Sequence, residues 1–339
     1  MLRDPGGLVV ERHARPPLGR RDVRVRVAYV GLCGTDLHVV DHPFENGVAP
    51  LALARGEITP GHEYSGVVEA VGDEVVDLVP GTPVACLPRL PCGSCRNCRL
   101  GRPTVCTDRR RPRFGALAET ITLDRGYARS LPPHVDLRMA ALAEPTACAL
   151  RSLDLAGLPV GASAVVIGAG PMGLLIARLL RHHGAMQVIV SETNPVRREL
   201  AAASGASVCD PSRESLADRV RQQSHGAGAD VVFEVVGSPA TVESAIEIAG
   251  PGARVVIVGV APADAIVSLR PYEVFAKQLT IVGAWAMETT FERALELLGQ
   301  IDADSIVTHE FELDDIGVAL ETVRSAATGK VLVRPDKRG

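Results

Sequence analysis

Two patterns of hydrophobic and polar positions divide the chain. Apolar and charged residues alternate over residues 22–27, and a period of two predicts an antiparallel strand with one buried face. Further short runs at 66–71 and 83–86 are separated by glycine- and proline-rich turns up to about residue 135. This first part of the chain is therefore predicted to be an all-β, barrel-like domain.

From about residue 147 onwards, predicted strands alternate with helices. The strands are short and apolar, and they cover residues 163–167, 187–191, 206–208, 230–236, 254–260 and 279–283. This alternation predicts a doubly wound parallel sheet. In the tail, a helix at 290–298 and strands near 309–313 and 330–333 are predicted. We expect this tail to return in part to the first domain.

The predicted fold class is α/β with two domains. The β-rich domain takes residues 1–146 and part of 286–339, and the parallel-sheet domain takes residues 147–285. The chain has 339 residues and a net charge of −4, so its charge gives no reason to expect nucleic acid or membrane partners. It shows no apolar signal segment and no run long enough to span a bilayer. We therefore expect a cytoplasmic protein.

A glycine motif joins the strand at 163–167 to the helix that follows it. Gly168 permits a tight turn, Gly170 lets backbone N–H groups approach a pyrophosphate, and Gly173 lets helix and strand pack closely. Pro171 and Met172 lie between the glycines. The glycines alone would also fit an ordinary strand–turn–helix. Together with the flanking strand and helix, they predict a dinucleotide site at the helix N-terminus.

An acidic residue indicates which dinucleotide is bound. Glu192 ends the next predicted strand, about 20 residues after the last glycine, where a carboxylate meets the adenosine ribose hydroxyls. Its charge would repel a 2′-phosphate, which favours NAD over NADP. Arg197 and Arg198 keep NADP open, because a guanidinium can pair with that phosphate.

Four cysteines indicate a metal site. The chain has eight cysteines and no secretion signal, so a disulfide framework is not expected. Two, two and seven residues separate the four that form one lobe, and this spacing predicts a closed thiolate site for structural zinc; they are Cys92, Cys95, Cys98 and Cys106. Eight arginines between Arg89 and Arg113 raise the alternative of a nucleic-acid-binding zinc ribbon. The single cysteine knot and the lack of a recognition helix favour a solvated or subunit-contacting face instead.

A second metal site is suggested by Cys33 and His62. Both are ligand types that zinc takes, and a carboxylate would supply a third ligand. Three protein ligands with one open position define a catalytic zinc. Considered singly, a buried cysteine is usually a small hydrophobic residue, and the sequence GHE is usually a turn.

These motifs together resemble those of the zinc-dependent medium-chain alcohol dehydrogenases, and most closely the polyol branch with sorbitol, 2,3-butanediol and threonine dehydrogenases. The resemblance rests on CGTDLH at 33–38, GHE at 61–63, the four-cysteine lobe, Glu144-Pro145, GAGPMG at 168–173 and GKVLV at 329–333. It implies a GroES-like zinc-binding catalytic domain and a Rossmann domain. It also implies two zinc ions per subunit, one catalytic and one structural, and a homodimer or homotetramer.

The resemblance also implies roles for individual residues. Cys33 and His62 would bind the catalytic zinc, with either Glu63 or Glu144 as a further ligand, and the sequence does not decide between these two. Asp36 would orient His62. The remaining roles are a proton relay through Thr35 and His38, a contact of Arg197 with the adenosine ribose, and a nicotinamide site lined by Val236, Val260 and Trp285.

The expected reaction is oxidation of a secondary alcohol to a ketone by hydride transfer to NAD. The substrate would be a polyol, a diol, or an amino-alcohol such as an amino-cyclitol; an enzyme like L-threonine 3-dehydrogenase is one alternative, and a non-catalytic nucleotide-binding protein is another. Residues 41–59 look specific to this chain. They would form either a substrate wall, with Glu45, Arg55 and Glu57 contacting a polar substrate, or a surface loop.

Overall fold

The computed structural model describes residues 8–41, 60–108, 115–287 and 289–335. Its contacts divide the chain into two units. One comprises Met1–Ala147, Glu288–Ser325 and Lys330–Gly339, and the other comprises Cys148–Met287 and Ala326–Gly329. None of the helices in the described ranges is both long enough and apolar enough to cross a membrane.

The described ranges contain thirteen strands and eleven α-helices. In chain order the strands are β1 (Asp22–Gly31), β2 (Glu63–Val71), β3 (Pro83–Cys86), β4 (Thr120–Asp124), β5 (Ala128–Ser130), β6 (Ser163–Ile167), β7 (Gln187–Ser191), β8 (Ser207–Cys209), β9 (Ala229–Glu234), β10 (Ala249–Ile257), β11 (Thr280–Gly283), β12 (Val307–Glu312) and β13 (Lys330–Arg334). The helices are α1 (Gly34–Asp41), α2 (Arg96–Arg99), α3 (Leu137–Ala140), α4 (Ala143–Ala156), α5 (Pro171–His182), α6 (Pro195–Ala203), α7 (Leu216–Gln223), α8 (Pro239–Ile248), α9 (Pro271–Lys277), α10 (Phe291–Leu297) and α11 (Ile316–Arg324).

The first unit is built around β1. This strand pairs with β2, β4 and β13 in a seven-stranded mixed sheet, whose main order is β12-β13-β1-β2-β3-β5. The predicted alternation is confirmed: Val23, Val25 and Val27 are fully buried, while Arg24 and Arg26 between them are partly exposed. The valines face a core that continues into β2, β3 and β13. The β1 register therefore fixes which side chains of this unit reach its interior.

The second unit is a six-stranded parallel sheet in the order β11-β10-β9-β6-β7-β8. Its central strands are short and apolar because helices cover them, as in other doubly wound sheets. Val165, Val232 and Val255 are paired across β6, β9 and β10 and lie almost fully buried. The predicted parallel sheet is confirmed, and its carboxyl edge is where such a sheet binds a nucleotide.

Two local expectations were incomplete. The helix α1 was not predicted, because Thr35, Asp36 and His38 interrupt any apolar period in its eight residues. Strand β10 begins at Ala249, earlier than the predicted residue 254. A glycine–proline–glycine sequence near its start reads as a turn, and the structure accommodates it as an irregularity in the pairing with β9.

Candidate active site

Strand pairing brings the predicted ligands of the catalytic metal together. Gly31 at the end of β1 lies opposite Glu63 at the start of β2. Cys33 therefore emerges from β1 beside His62, which precedes β2. The ligand atoms of Cys33, His62 and Glu63 all lie within 4.8 Å of one another. A thiol, an imidazole and a carboxylate at this spacing form a donor set that fits zinc.

Asp36 contacts the segments that carry these ligands. It is fully buried, and its two carboxylate oxygens accept the N–H groups of Gly61 at 2.9 Å and of Cys33 at 3.0 Å. The same carboxylate lies 3.4 Å from His62 Nδ1. Burial alone would raise the pKa of Asp36, but His62 and the two N–H groups lower it below its usual value. A carboxylate at Nδ1 leaves Nε2 as the nitrogen that donates its lone pair to a metal.

Helix α1 carries the two residues of the predicted proton relay. Thr35 Oγ1 lies 3.7 Å from Cys33 Sγ, which places its hydroxyl at the cluster. His38 follows one turn later on the same face, because residues three apart are neighbours on a helix. Both residues are partly exposed, although Nε2 of His38 is buried.

A buried lysine that sequence reasoning missed completes the cluster. Lys330 is 1% exposed, and its ammonium forms an ion pair with Glu63. Burial alone would lower the pKa of Lys330, but the charges of Glu63, Cys33 and Glu144 raise it above its usual value. The available signal was a lysine that opens an otherwise apolar strand in the GKVLV motif.

The two candidate glutamates occupy different places. Glu63 is almost fully buried and belongs to the set of ligand atoms within 4.8 Å. Glu144 lies in the first turn of α4, is partly exposed, and acts on the charge of Lys330. In the described part of the chain, Glu63 is thus the carboxylate that the structure groups with Cys33 and His62.

The four-cysteine lobe has the dimensions of a zinc site. Tetrahedral zinc with Zn–S bonds of about 2.3 Å separates its sulfur atoms by about 3.8 Å. Here Cys92 and Cys98 Sγ are 4.0 Å apart, and Cys95 and Cys106 Sγ are 3.9 Å apart. Backbone N–H groups of Cys98 and Thr107 lower the pKa of Cys95 to about 5. Loss of hydration and the neighbouring Cys95 thiol raise the pKa of Cys98 to about 12. Thiols this close ionise together only around a cation.

The glycine turn of the second unit fits a dinucleotide. A Cβ at Gly173 would lie 2.0 Å from the carbonyl oxygen of Gly168, and Gly168 has a φ of +101°. Both positions therefore require glycine. Helix α5 begins at Pro171 with Gly170 as its N-cap, and no side chain caps its first N–H groups. A pyrophosphate is the natural partner for these donors.

Glu192 is built into the same turn. Its carboxylate is 9% exposed and accepts the N–H groups of Ala169 at 2.7 Å and of Asn194 at 2.8 Å, one on each oxygen. These bonds fix the carboxylate beside the glycine turn. Thr193 Oγ1 also donates to Oε1 at 3.3 Å, so Oε2 is the oxygen that keeps a lone pair for a ribose hydroxyl.

The two arginines after Glu192 have different surroundings. Arg198 pairs with Asp210 at 3.0 Å and donates to the carbonyl oxygens of Glu192 and Thr193. Arg197 Nε donates to the carbonyl oxygen of Thr328 at 2.8 Å. Arg197 Nη1 also lies 3.9 Å from where a Cβ on Gly170 would stand, so it reaches the phosphate side of the turn.

The carboxyl edge of the parallel sheet presents an apolar surface. Val236, Val260 and Trp285 follow β9, β10 and β11 and are 51%, 61% and 49% exposed. Sequence reasoning missed Glu234, a buried acid at the end of β9. Its Oε1 accepts the N–H groups of Val236 and Gly237, each at 2.8 Å, and so holds the first of these turns in place.

The segment expected to form a substrate wall lies almost wholly outside the described residues. This includes Glu45, Arg55 and Glu57. Asp41 at its start is described and forms an ion pair with Arg324 on α11.

Comparison with known proteins places the chain in a family. It matches the alcohol dehydrogenase GroES-like domain over residues 19–133 and the zinc-binding dehydrogenase family over residues 171–300. The 2-dehydro-3-deoxy-L-galactonate 5-dehydrogenase of Pseudoalteromonas atlantica is 36% identical over 96% of this chain and 94% of its own length. An L-threonine 3-dehydrogenase of Alteromonas mediterranea is 30% identical over 96% of each chain.

Solved structures agree with these sequence matches and include both cofactors. A zinc-binding dehydrogenase of Sinorhizobium meliloti bound to NADP is 31% identical, with a TM-score of 0.86 over 94% of each chain. An alcohol dehydrogenase of Escherichia coli complexed with NADH is 25% identical, with a TM-score of 0.87 over 98% of this chain and 97% of its own. The chain therefore belongs to the zinc-binding medium-chain alcohol dehydrogenases, with relatives in their polyol branch.

Proposed function

We propose that this enzyme oxidises a secondary alcohol of a polyol, diol or amino-alcohol to a ketone, with zinc and NAD. The observation that supports this most directly is the cluster of partly exposed Cys33 with buried His62 and Glu63, which has the buried Asp36 behind it. The first unit would act as the catalytic domain and the second as the nucleotide-binding domain. Zinc in the cluster supplies a Lewis acid that lowers the pKa of an alcohol hydroxyl.

The residues of the chain would position the substrate and move its proton. Cys33 and His62 hold the metal, and Asp36 keeps His62 in the ligating tautomer. The hydroxyl of Thr35 would accept the substrate proton and pass it towards His38, a partly exposed residue. NAD, which the turn at Gly168, Gly170 and Gly173 would hold, would supply the hydride acceptor for this oxidation.

Within this substrate class, two kinds of relative indicate which substrates to test first. The relative at 36% identity acts on a keto-deoxy sugar acid, and those named L-threonine 3-dehydrogenase are 30–31% identical. We therefore propose a hydroxylated sugar acid or polyol first, and threonine as the second candidate.

The reaction is tested by the absorbance of reduced nicotinamide. Zinc-replete protein is supplied with NAD or NADP and with sugar acids, polyols, diols, amino-cyclitols or threonine. Turnover on one group that a chelator abolishes, and that Cys33→Ala lacks, is expected. Full turnover and full zinc content in Cys33→Ala would contradict the proposal. No turnover on any substrate, with zinc and NAD bound, would favour a non-catalytic nucleotide-binding protein.

We propose NAD as the cofactor because of Glu192 and Arg198. The fixed carboxylate of Glu192 opposes a 2′-phosphate, and Arg198 already pairs with Asp210. Glu192→Gln should lower kcat/KM with NAD and raise it with NADP. The control is Glu199→Gln on the exposed side of α6, which should leave the ratio unchanged. An unchanged ratio in Glu192→Gln would contradict this assignment.

We further propose a homodimer or homotetramer joined through the edge strand β11. Among the described strands β11 forms one end of the parallel sheet. Ile281 in β11 is 36% exposed, and Tyr272 and Phe275 in the preceding helix α9 are each 78% exposed. Exposed apolar side chains next to an unpaired strand edge favour association with a second copy. Phe275→Glu should shift the mass in solution towards the monomer. Val76→Glu, at a side chain 90% exposed in the first unit, is the control.

A further inference from the structure

Three turns at the carboxyl edge of the parallel sheet contact one another. They follow β6, β9 and β10, which are neighbours in the sheet order. A Cβ on Gly168, in the turn after β6, would lie 2.8 Å from Val236 Cγ2 in the turn after β9. A Cβ on Gly259, in the turn after β10, would lie 2.2 Å from the backbone nitrogen of Gly237. The turn after β9 (residues 235–237, the middle turn) therefore lies between the other two and contacts both.

One buried carboxylate holds the middle turn in place. Glu234 is the last residue of β9 and is fully buried. Its Oε1 accepts the N–H groups of Val236 and Gly237, each at 2.8 Å. The same oxygen lies 2.9 Å from Thr241 Oγ1 in the first turn of α8. Burying a carboxylate is costly unless it is hydrogen-bonded, so the burial of Glu234 and the conformation of the middle turn stabilise each other.

The main chain of the same residue fixes the turn after β10. The carbonyl oxygen of Glu234 accepts the N–H groups of Val258 at 2.8 Å and of Gly259 at 2.9 Å. These bonds lie beyond the end of β10 and therefore act on the turn itself. Glu234 is thus bonded to both turns that carry the exposed side chains of Val236 and Val260.

The middle turn differs from the glycine turn in what it can offer a dinucleotide. The N–H groups of Val236 and Gly237 are donated inwards to Glu234, so a phosphate cannot use them. What the middle turn exposes is the apolar side chain of Val236. The glycine turn is held separately, by the bond from the Ala169 N–H group to Glu192. A disordered middle turn should therefore weaken contacts with the nicotinamide half of the cofactor and leave the phosphates and adenosine bound.

We infer that Glu234 is a positioning residue for the nicotinamide half of the cofactor: it fixes the turns after β9 and β10 and so keeps Val236 and Val260 where the ring would lie. This inference rests on the proposed function, because it assumes NAD at this edge of the sheet. Glu234 is fully buried and acts only through these turns. Its removal should therefore weaken binding of the nicotinamide half more than binding of the adenosine half.

Three variants and one control test this role. Glu234→Ala removes the acceptor of both N–H groups. Glu234→Gln keeps one acceptor oxygen without the charge, and its NH₂ group can take the place of Oε2, which has no hydrogen-bond partner among the described residues. Gly259→Ala disturbs the same contact from the other side, because its Cβ would meet the backbone of Gly237. The matched control is Glu247→Ala, at an exposed glutamate of α8.

Binding is measured with two probes on the full, zinc-replete protein. NADH carries both halves of the cofactor, whereas ADP carries only the adenosine and two phosphates. Titration calorimetry gives a dissociation constant for each probe without requiring the alcohol substrate. The ratio of the two constants isolates the contribution of the nicotinamide half. Hydrogen exchange at the amides of Val236 and Gly237 then reports whether the middle turn has loosened.

Glu234→Ala should weaken NADH binding by about tenfold or more, because hydrogen bonds from two buried donors to a charged group are lost, and should leave ADP binding unchanged. The two amides of the middle turn should exchange faster. Glu234→Gln should show a smaller loss of the same kind, since hydrogen bonds to a neutral acceptor are weaker. Gly259→Ala should also lose affinity for NADH alone. Glu247→Ala should bind both probes as the wild type does.

The possible failures are distinguishable. A wild type that binds both probes, with a Glu234→Ala variant that loses affinity for both equally or for neither, would overturn the inference alone. If Glu234→Ala does not fold, Glu234→Gln and Gly259→Ala take its place, and an unchanged ratio of the two constants in both would overturn the inference. A wild type that does not bind NADH would overturn both the inference and the proposed function.

Discussion

Asp36 is the residue whose replacement tests the architecture of the metal site most directly. Its carboxylate accepts two backbone N–H groups, those of Gly61 at 2.9 Å and Cys33 at 3.0 Å, and lies 3.4 Å from Nδ1 of His62. Asp36→Asn preserves the volume but leaves one acceptor oxygen and introduces an NH₂ group. At least one buried N–H group must then face another donor.

The magnitude follows from these contacts. An unsatisfied buried donor costs about 1–3 kcal/mol, so the unfolding free energy should fall by about that amount. His62 also loses the carboxylate that orients it, and loss of such support weakens metal binding by about 10–100-fold. This corresponds to about 1.4–2.8 kcal/mol of binding free energy. None of these bonds involves the four-cysteine lobe, so that lobe should keep its zinc.

The assay is zinc titration against a competing chelator, with urea unfolding of the same samples. The wild type should show two sites per chain, and Asp36→Asn should show one site unchanged and one weakened. Asp73→Asn is the control, because that side chain is 69% exposed on the surface. The assigned role of Asp36 would be refuted if Asp36→Asn bound zinc at both sites with the affinities of the wild type and its unfolding free energy lay within about 0.5 kcal/mol of the wild-type value.

Three further predictions address the site and its scaffold. Gly31→Ala should destabilise the protein by about 1–3 kcal/mol, because the new Cβ would lie 2.2 Å from Glu63 Oε2; an unchanged urea midpoint would contradict this. Cys92→Ser should remove one zinc per chain and expose its lobe to protease, and zinc analysis with limited proteolysis checks both. The pKa of Asp36 lies below its usual value, so its stabilisation is complete above a pH of about 4 and is lost as the pH falls through the folded-state pKa. Acid titration of unfolding should show this loss in the wild type and not in Asp36→Asn.

The sequence predicted the bounds of those elements that begin and end at a clear change in residue type. Strands β3, β6 and β7 have the predicted bounds, because each is a short apolar run with glycine, proline or charged residues at its ends. Helix α1 was missed for the opposite reason: polar residues at Thr35, Asp36 and His38 leave it without a helical apolar face. The apolar pattern of this segment therefore does not indicate a helix, although the folded protein forms one there.

The same distinction applies within the candidate site. Zinc ligands are soft or basic side chains at characteristic spacings, so Cys33, His62 and the four-cysteine lobe could be identified from the chain alone. Lys330 acts through burial and an ion pair with a distant strand, and Glu234 acts through burial and hydrogen bonds to the turn after β9. A sequence does not show burial directly. The choice between Glu63 and Glu144 depends likewise on which carboxylate the strand register brings to Cys33.

The strand pairing at Gly31 determines the positions of the side chains in the candidate site. The pairing of Gly31 with Glu63 sets Cys33 beside His62, and the pairing of Gly31 with Leu332 places Lys330 beside Glu63. A slip of one residue on either side would turn a charged side chain to the opposite face of the sheet. Glu63 and Lys330 would then each be buried without an ionic partner, and the cost of burying these charges would disfavour the slipped register. The ion pair of Glu63 with Lys330 therefore also selects the strand alignment on which the candidate metal site depends.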